Sequence, residues 1–261
     1  MSDRQFCSVE RDGRILVVTI NRPERMNALH PPANEELAAV FDEFAADPDL
    51  WVAILTGAGD RAFSAGNDLR WQAEGNKVTV PATGFAGLTS RWDLDKPVIA
   101  AVNGVAMGGG FEIALACDLI VASETATFAL PEPKVGLAAL AGGLHRLPRQ
   151  IGEKRAMGMI LTGRTVSAAE GQALGFVHEV AAPSELMAAA KKLANQIASL
   201  SPMSIRASKA TVRTGLTEPS LQAAYDNQRT YPAVKAMMTS EDVVEGPLAF
   251  AQKRAPQWKG R

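Results

Sequence analysis

Six consecutive apolar or β-branched residues, Ile15–Ile20, are closed by Asn21-Arg22-Pro23, the pattern of a buried strand. Over 35–46 the period changes to that of a helix, with Leu37, Val40, Phe41 and Phe44 on one face. Asp47-Pro48-Asp49 ends it, because proline cannot continue a helix and disfavours helix in the residue before it. A second strand is predicted over 51–56, running into Gly57-Ala58-Gly59 and then a glycine-marked loop over 63–69. Residues 70–95 are irregular and hold Trp71, Phe85 and Trp92 among polar residues and glycines. A third strand follows over 97–102, turning at Asn103-Gly104, and a helix over 111–117 follows Gly108-Gly109-Gly110. Residues 119–122 read as a fourth, short strand. Alternating strands and helices predict an α/β fold built from repeated crossovers. Past Gly175 a long Ala/Lys/Leu helix is predicted over 184–200, with Ser184 as its cap and Pro202 as its stop. Helical segments continue over 220–238, so the chain divides into an α/β core over 1–200 and a helical region over 201–261.

Composition narrows the function classes. The 27 Lys+Arg against 28 Asp+Glu leave a net charge of −1, which argues against a large electrostatic footprint for nucleic acid or anionic lipid. Hydrophobic residues make up 47%, enough apolar surface to offset the entropy of ordering. No stretch approaches the roughly 18 uninterrupted apolar residues of a spanning helix. The polar start Met1-Ser2-Asp3-Arg4-Gln5 lacks the apolar run of a signal peptide, and Cys7 and Cys117 are too few for a disulfide framework. These features predict a cytosolic protein. With 22 Gly against nine Phe, four Trp and two Tyr, the core is built of small and branched residues with close backbone approaches.

Three features carry chemistry. Gly108-Gly109-Gly110 opens a helix, where backbone N–H groups are accessible and the helix dipole is positive. Such fixed donors suit an oxyanion hole, although a triplet of glycines fits a tight packing turn equally well. Glu112 falls in the first turn of that helix, where an acid also complements the dipole. Glu132 stands in Leu130-Pro131-Glu132-Pro133, a loop pinned by two prolines, and a lone loop glutamate is commonly just solvated. Rival chemistries lack their motifs. His30, His145 and His178 show no metal-ligand spacing, Gly-x-Ser-x-Gly is absent around Ser64, and no phosphate-binding glycine motif follows a strand.

Taken in order, several segments resemble the crotonase (enoyl-CoA hydratase/isomerase) superfamily. They are Asn21-Arg22-Pro23 with Asn27-Ala28-Leu29, then Ala62-Phe63-Ser64-Ala65-Gly66-Asn67-Asp68-Leu69, then Lys96-Pro97-Val98-Ile99-Ala100-Ala101-Val102-Asn103-Gly104. Gly108-Gly109-Gly110-Phe111-Glu112, Phe128-Ala129-Leu130-Pro131-Glu132, Gly142-Gly143 before Arg146-Leu147, and the C-terminal Glu245-Gly246-Pro247-Leu248-Ala249-Phe250 complete the set. The resemblance spans nearly the whole chain. It implies a spiral of ββα turns with a helical C-terminal region that drives trimerisation, trimers commonly pairing into hexamers.

The resemblance also implies an acyl-CoA thioester substrate, with no cofactor beyond the coenzyme A it carries and no metal. The thioester oxygen would sit between the N–H groups of Asn67 and Gly109. Ala28, Ala65, Gly66, Asp68, Leu69, Gly108 and Pro131 would line the substrate, with Arg25, Phe250 and Lys253 as further coenzyme A contacts, the last two at a subunit boundary. Hydratases of the superfamily carry two glutamates, matched here by Glu112 and Glu132. Water attacking Cβ of an enoyl thioester must lose a proton while Cα gains one, so one carboxylate serves as base and one carboxylic acid as donor. Glu112 is assigned to water activation and Glu132 to proton donation, an assignment that can exchange because one water can contact both. Alternatives within this resemblance are a carnitinyl-CoA dehydratase, which segments 128–132 and 240–261 resemble most, an enoyl-CoA isomerase, and a catalytically silent acyl-CoA binder. One departure stands out: Ala139 occupies the position of a proline common in hydratases, and Ala139 and Leu140 are expected to reshape the acyl pocket. Trp71 and Trp92 are candidates for holding a quaternary ammonium group, unless they merely pack their loop.

Overall fold

The computed structural model describes residues 4–261. Met1, Ser2 and Asp3 of the polar N-terminus lie outside them.

Two sheets are wound together. The larger contains β1 (Cys7–Asp12), β2 (Ile15–Ile20), β3 (Val52–Gly57), β5 (Val98–Val102), β7 (Leu119–Ser123) and β10 (Glu179–Ala181), hydrogen-bonded in that order. The smaller contains β4 (Ala62–Ser64), β6 (Val105–Met107), β8 (Thr127–Ala129) and β9 (Val166–Ser167). After each of β3, β5 and β7 the chain turns a corner and adds a strand to the smaller sheet. β3, β5 and β7 pair in parallel, and so do β4, β6 and β8. The result is the expected spiral of ββα turns.

The corners stack directly on one another. A Cβ on Gly104, between β5 and β6, would lie 2.4 Å from the carbonyl oxygen of Arg61 in the turn before it, so only glycine permits this spacing. Helix α1 (Pro31–Ala46) packs on the inner face with its Leu37, Val40, Phe41 and Phe44 fully buried. Short α2 (Leu69–Ala73) follows β4, and α3 (Gly109–Ala116) follows β6. Phe111 of α3 meets Phe128 and Phe176 at ring-centroid distances of 5.2 and 5.1 Å, which anchors α3 in the core. α4 (Gly143–Ile151), α5 (Glu153–Thr162) and α6 (Ala168–Leu174) continue the spiral, and α7 (Leu186–Ala198) covers the outer face of the large sheet with Leu186, Ala190 and Ala194. The remaining helices are α8 (Pro202–Gly215), α9 (Leu221–Asn227), α10 (Pro232–Met238) and α11 (Glu241–Ala251).

Asp118 fastens α8 to the spiral. Its carboxylate accepts from the Val98 N–H at 2.8 Å, Lys209 Nζ at 2.7 Å and the Arg213 guanidinium at 2.9 Å. Cys7 and Cys117 are free and buried.

Several boundaries differ from the sequence reading. α1 begins four residues early, because proline at its first position has φ preset for helix and lacks only an N–H the helix would not use. α3 begins at Gly109, so two of the three glycines lie inside the helix and Gly108, with φ 52°, is its cap. Ser184 caps nothing: it lies in a 3-10 turn, Pro183–Glu185, and α7 starts at Leu186.

Candidate active site

The buried polar side chain of Asn27 organises one wall. Its carboxamide oxygen accepts from the Arg22 N–H at 3.0 Å, and its nitrogen donates to the carbonyls of Ala58 and Ala62 at 3.0 and 2.7 Å. The corner before β4 is thereby tied to the segment that carries Ala28 and Leu29. Arg22 donates to the Ala28 carbonyl and pairs with Asp68 at 3.0 Å, both side chains nearly out of solvent. Asp68 also caps α2 by accepting the Trp71 N–H at 3.2 Å. Burial alone would raise the Asp68 carboxyl, but the Trp71 N–H and the Arg22 guanidinium outweigh it and hold the group below its ordinary range.

Asn67 is set by a single parallel bridge. Leu29 donates its N–H to Gly66 (2.7 Å) and its carbonyl accepts from Asp68 (2.9 Å). In that pattern the residue between the two partners turns its own N–H away, so the Asn67 N–H faces the side opposite Leu29. Gly109 is the first residue of α3, where an N–H has no acceptor within the helix. A Cβ on Gly66 would stand 2.7 Å from the Gly109 nitrogen, so the two donor-bearing segments touch backbone to backbone. The oxyanion candidates Asn67 and Gly109 are therefore neighbours.

The two glutamates converge on the same place. Glu112, 3% exposed, lies one turn into α3, and its Oε1 accepts the Gly143 N–H at 2.8 Å. Glu132 follows Pro131 in the 3-10 turn Glu132–Val135, and a Cβ on Gly108 would lie 2.9 Å from its Oε1. The Glu132 Oε2 is buried with no hydrogen-bond partner among the described residues. Burial pushes Glu112 up from 4.5 to about 7; the Gly143 N–H opposes the rise and the negative charge of Glu132 adds to it. Burial likewise raises Glu132. An acid pair thus faces one cluster of backbone donors, with one member titrating near neutrality.

The other expected residues are placed as follows. The Ala65 N–H donates to the Met26 carbonyl at 2.9 Å, and Leu69 opens α2, partly exposed. Arg25 lies with Arg22, His30, Asp68, Arg70 and Trp71 on a cleft of about 220 Å³. Phe250 is 86% exposed on α11, which packs on α10, and Lys253 follows it with φ 53°, so neither joins the glutamates within one chain. Ala139 is buried and Leu140 is 81% exposed. Trp71 stacks edge-on against His30 at 4.9 Å, and the Arg146 guanidinium lies over one face of Trp92 at 5.1 Å, leaving Trp92 77% exposed. Sequence reasoning missed the Gly143 N–H as the partner of Glu112, for which the only signal was the Gly142-Gly143 pair. Among the described residues, no group of three or more His, Cys, Asp or Glu is placed to hold a metal, and no helix is long and apolar enough to cross a membrane.

The family model for enoyl-CoA hydratase/isomerase matches residues 10–261. The chain belongs to the enoyl-CoA hydratase/isomerase (crotonase) family of enzymes. Within that family it is 45% identical to a carnitinyl-CoA dehydratase of Proteus mirabilis over 95% of this chain and 96% of the relative. It superimposes on an enoyl-CoA hydratase of Mycobacterium tuberculosis with TM-score 0.92 and 40% identity, covering 98% of this chain and 99% of that one. A carnitinyl-CoA hydratase of Mycobacterium avium superimposes with TM-score 0.78 and 39% identity, covering 99% and 100%.

Proposed function

We propose that the protein is an enoyl-CoA hydratase, adding water reversibly across the double bond of a trans-2-enoyl-CoA thioester. The observation that carries this reading is the convergence of buried Glu112 and half-buried Glu132 beside the start of α3. The thioester carbonyl sits between the N–H groups of Asn67 and Gly109, and these fixed donors stabilise the enolate oxygen that forms as water adds. Glu112 takes the water's proton: its carboxylate is held by the Gly143 N–H, a bond that favours the ionised form. Glu132 is assigned to proton delivery at Cα: burial raises its carboxyl, and its Oε2 has no hydrogen-bond partner among the described residues. No cofactor is required, since the coenzyme A arrives with the substrate.

The remaining site residues belong to the same proposal. Ala28, Ala65, Gly66, Asp68, Leu69, Gly108 and Pro131 line the thioester and its pantetheine, with Arg25 near the coenzyme A phosphates. Phe250 and Lys253 complete the site from an adjacent subunit of a trimer. Leu216, Leu221, Tyr225 and Phe250 expose large apolar surface on the helical segment over 201–261, which supports association through that region. The free, buried cysteines support a cytosolic setting.

A second reading, carnitinyl-CoA dehydratase, rests on the 45% identity to the Proteus mirabilis enzyme. Arg146 occupies one face of Trp92, but the tryptophan side chain is 77% exposed, so its ring remains open to a cation. A panel of crotonyl-, longer enoyl- and crotonobetainyl-CoA, followed by loss of the conjugated enoyl-thioester absorbance, tests both. Turnover of crotonyl-CoA well above crotonobetainyl-CoA is expected. The reverse preference installs the second reading, and binding without loss of absorbance at any substrate removes both.

A further inference from the structure

Gly109 has an ordinary helical backbone, with no positive φ to demand glycine. What excludes a side chain there is one ring. A Cβ on Gly109 would lie 2.6 Å from Cε1 of Phe85 and 3.1 Å from its Cδ1 and Cζ. On the other side stands the backbone of Gly66, whose own added Cβ would reach the Gly109 nitrogen at 2.7 Å. Gly109 is thus held between the Phe85 ring and the segment that presents the Asn67 N–H.

Phe85 cannot retreat easily. It sits in a tight turn in which Gly84, Ala86 and Gly87 all have positive φ, and for Ala86, at 55°, that conformation is strained. Four contacts enforce the strain. The Phe85 N–H donates to Thr89 Oγ1 at 2.8 Å, and the Ala86 N–H donates to the buried carboxamide of Asn34 on α1 at 2.7 Å. Arg91 Nε donates to the Gly87 carbonyl at 2.9 Å, and Arg146 of α4 donates to the Thr89 carbonyl at 2.8 Å. The turn is therefore braced from α1 and from α4, the helix whose Gly143 N–H holds Glu112. Strain that persists at a site because its surroundings over-determine it is a signature of a positional requirement.

We propose that Phe85 is a positioning residue: its ring presses the start of α3 against the segment around Gly66 and so fixes the spacing of the Asn67 and Gly109 donors. This rests on the hydratase reading for its kinetic test but carries a spectroscopic test of its own. The donor spacing matters most when charge reaches the thioester oxygen, so losing the ring lowers kcat and leaves KM nearly unchanged.

The experiment uses Phe85→Ala, Phe85→Leu, Gly109→Ala and the double variant Phe85→Ala/Gly109→Ala in the full chain, with the urea midpoint recorded for each. Crotonyl-CoA turnover should fall at least tenfold in kcat for Phe85→Ala with KM changed less than threefold, and Phe85→Leu should recover most of it. Gly109→Ala should be nearly inactive, and the double variant at least tenfold more active, because the methyl then occupies the space the ring vacates. Independently, bound acetoacetyl-CoA should show a strong enolate absorbance in the parent and a weaker one in Phe85→Ala. That band reports polarisation of the thioester by the donors even if the parent hydrates nothing, which separates failure of this role from failure of the hydratase reading. An unchanged kcat and enolate band in Phe85→Ala, or a double variant no better than Gly109→Ala, overturns the proposal. So does acetoacetyl-CoA that fails to bind the parent at all.

Discussion

Replacing Glu112 by Gln should make the protein more stable at the same time as it removes activity, and the gain should depend on pH. The folded-state carboxyl is raised from 4.5 to about 7 because the side chain is 3% exposed and stands near a second acid. A raised acid binds more protons folded than unfolded between those two values, so stability falls as pH rises through that window. At 1.36 kcal/mol per unit, the full cost of ionising Glu112 in the fold is about 3 kcal/mol, nearly all of it present at pH 8 and less than about 1 kcal/mol at pH 5. Gln keeps an oxygen for the Gly143 N–H but brings an amide that needs a partner, which offsets about 1 kcal/mol. Urea unfolding at fixed protein concentration should therefore place Glu112→Gln about 2 kcal/mol above the parent at pH 8 and level with it or slightly below at pH 5. Crotonyl-CoA hydration should drop by about 10²–10⁴-fold, the usual worth of a general base. A stability difference that does not change between the two pH values refutes the raised carboxyl. Near-parent turnover refutes its role as base.

Glu132→Gln should also cost about 10²-fold or more in turnover while calorimetric binding of a CoA thioester stays largely intact, since the shape is kept and only the titration is lost. The kcat/KM profile should lose activity as pH falls through about 7, where Glu112 takes up its proton, and an acid limb lying below pH 5 contradicts the assignment. Asp68→Ala leaves the Arg22 guanidinium buried without its carboxylate and should cost about 3 kcal/mol by denaturant titration, a loss under 1 kcal/mol showing that solvent reaches Arg22. Lys96→Met removes the buried ammonium that donates to the Phe44 and Asp47 carbonyls at 2.7 and 2.6 Å, so the C-terminal turn of α1 should exchange its amide protons faster.

Most of the spiral is legible in the sequence because its strands are buried on both faces. Ile15–Ile20 matches its predicted bounds, and the strands at 52–57, 98–102 and 119–123 shift by at most a residue at each end. β1 escaped because it is an edge strand whose Glu10, Arg11 and Asp12 face solvent, so its alternation is weak. β4, β6 and β8 are three residues each and β9 two, too short to show any period. The glutamates and glycines were readable as candidates from residue type and order alone. Their convergence was not, because Glu112 and Glu132 meet only through the stacking of β6 on β8 and the return of the chain at Gly143. The roles of the aromatics were least legible: three rings in one irregular stretch go separate ways, Trp71 to His30, Trp92 to Arg146 and Phe85 onto Gly109.

Gly109 and Glu112 stand three residues apart at the start of one helix, separated along its axis by about 4.5 Å at 1.5 Å per residue. The proposed oxyanion donor and the proposed water-activating carboxylate therefore ride on one helix, whose backbone sets the spacing of the two residues. Glu132, by contrast, reaches the same place from a 3-10 turn with its own proline-bounded backbone. The candidate site is in effect built from one helix and one separately anchored turn. On the proposed roles, exchange of the second acid would change where a proton is delivered without disturbing how the oxygen is held, a simple route from one scaffold to several reactions at a common thioester.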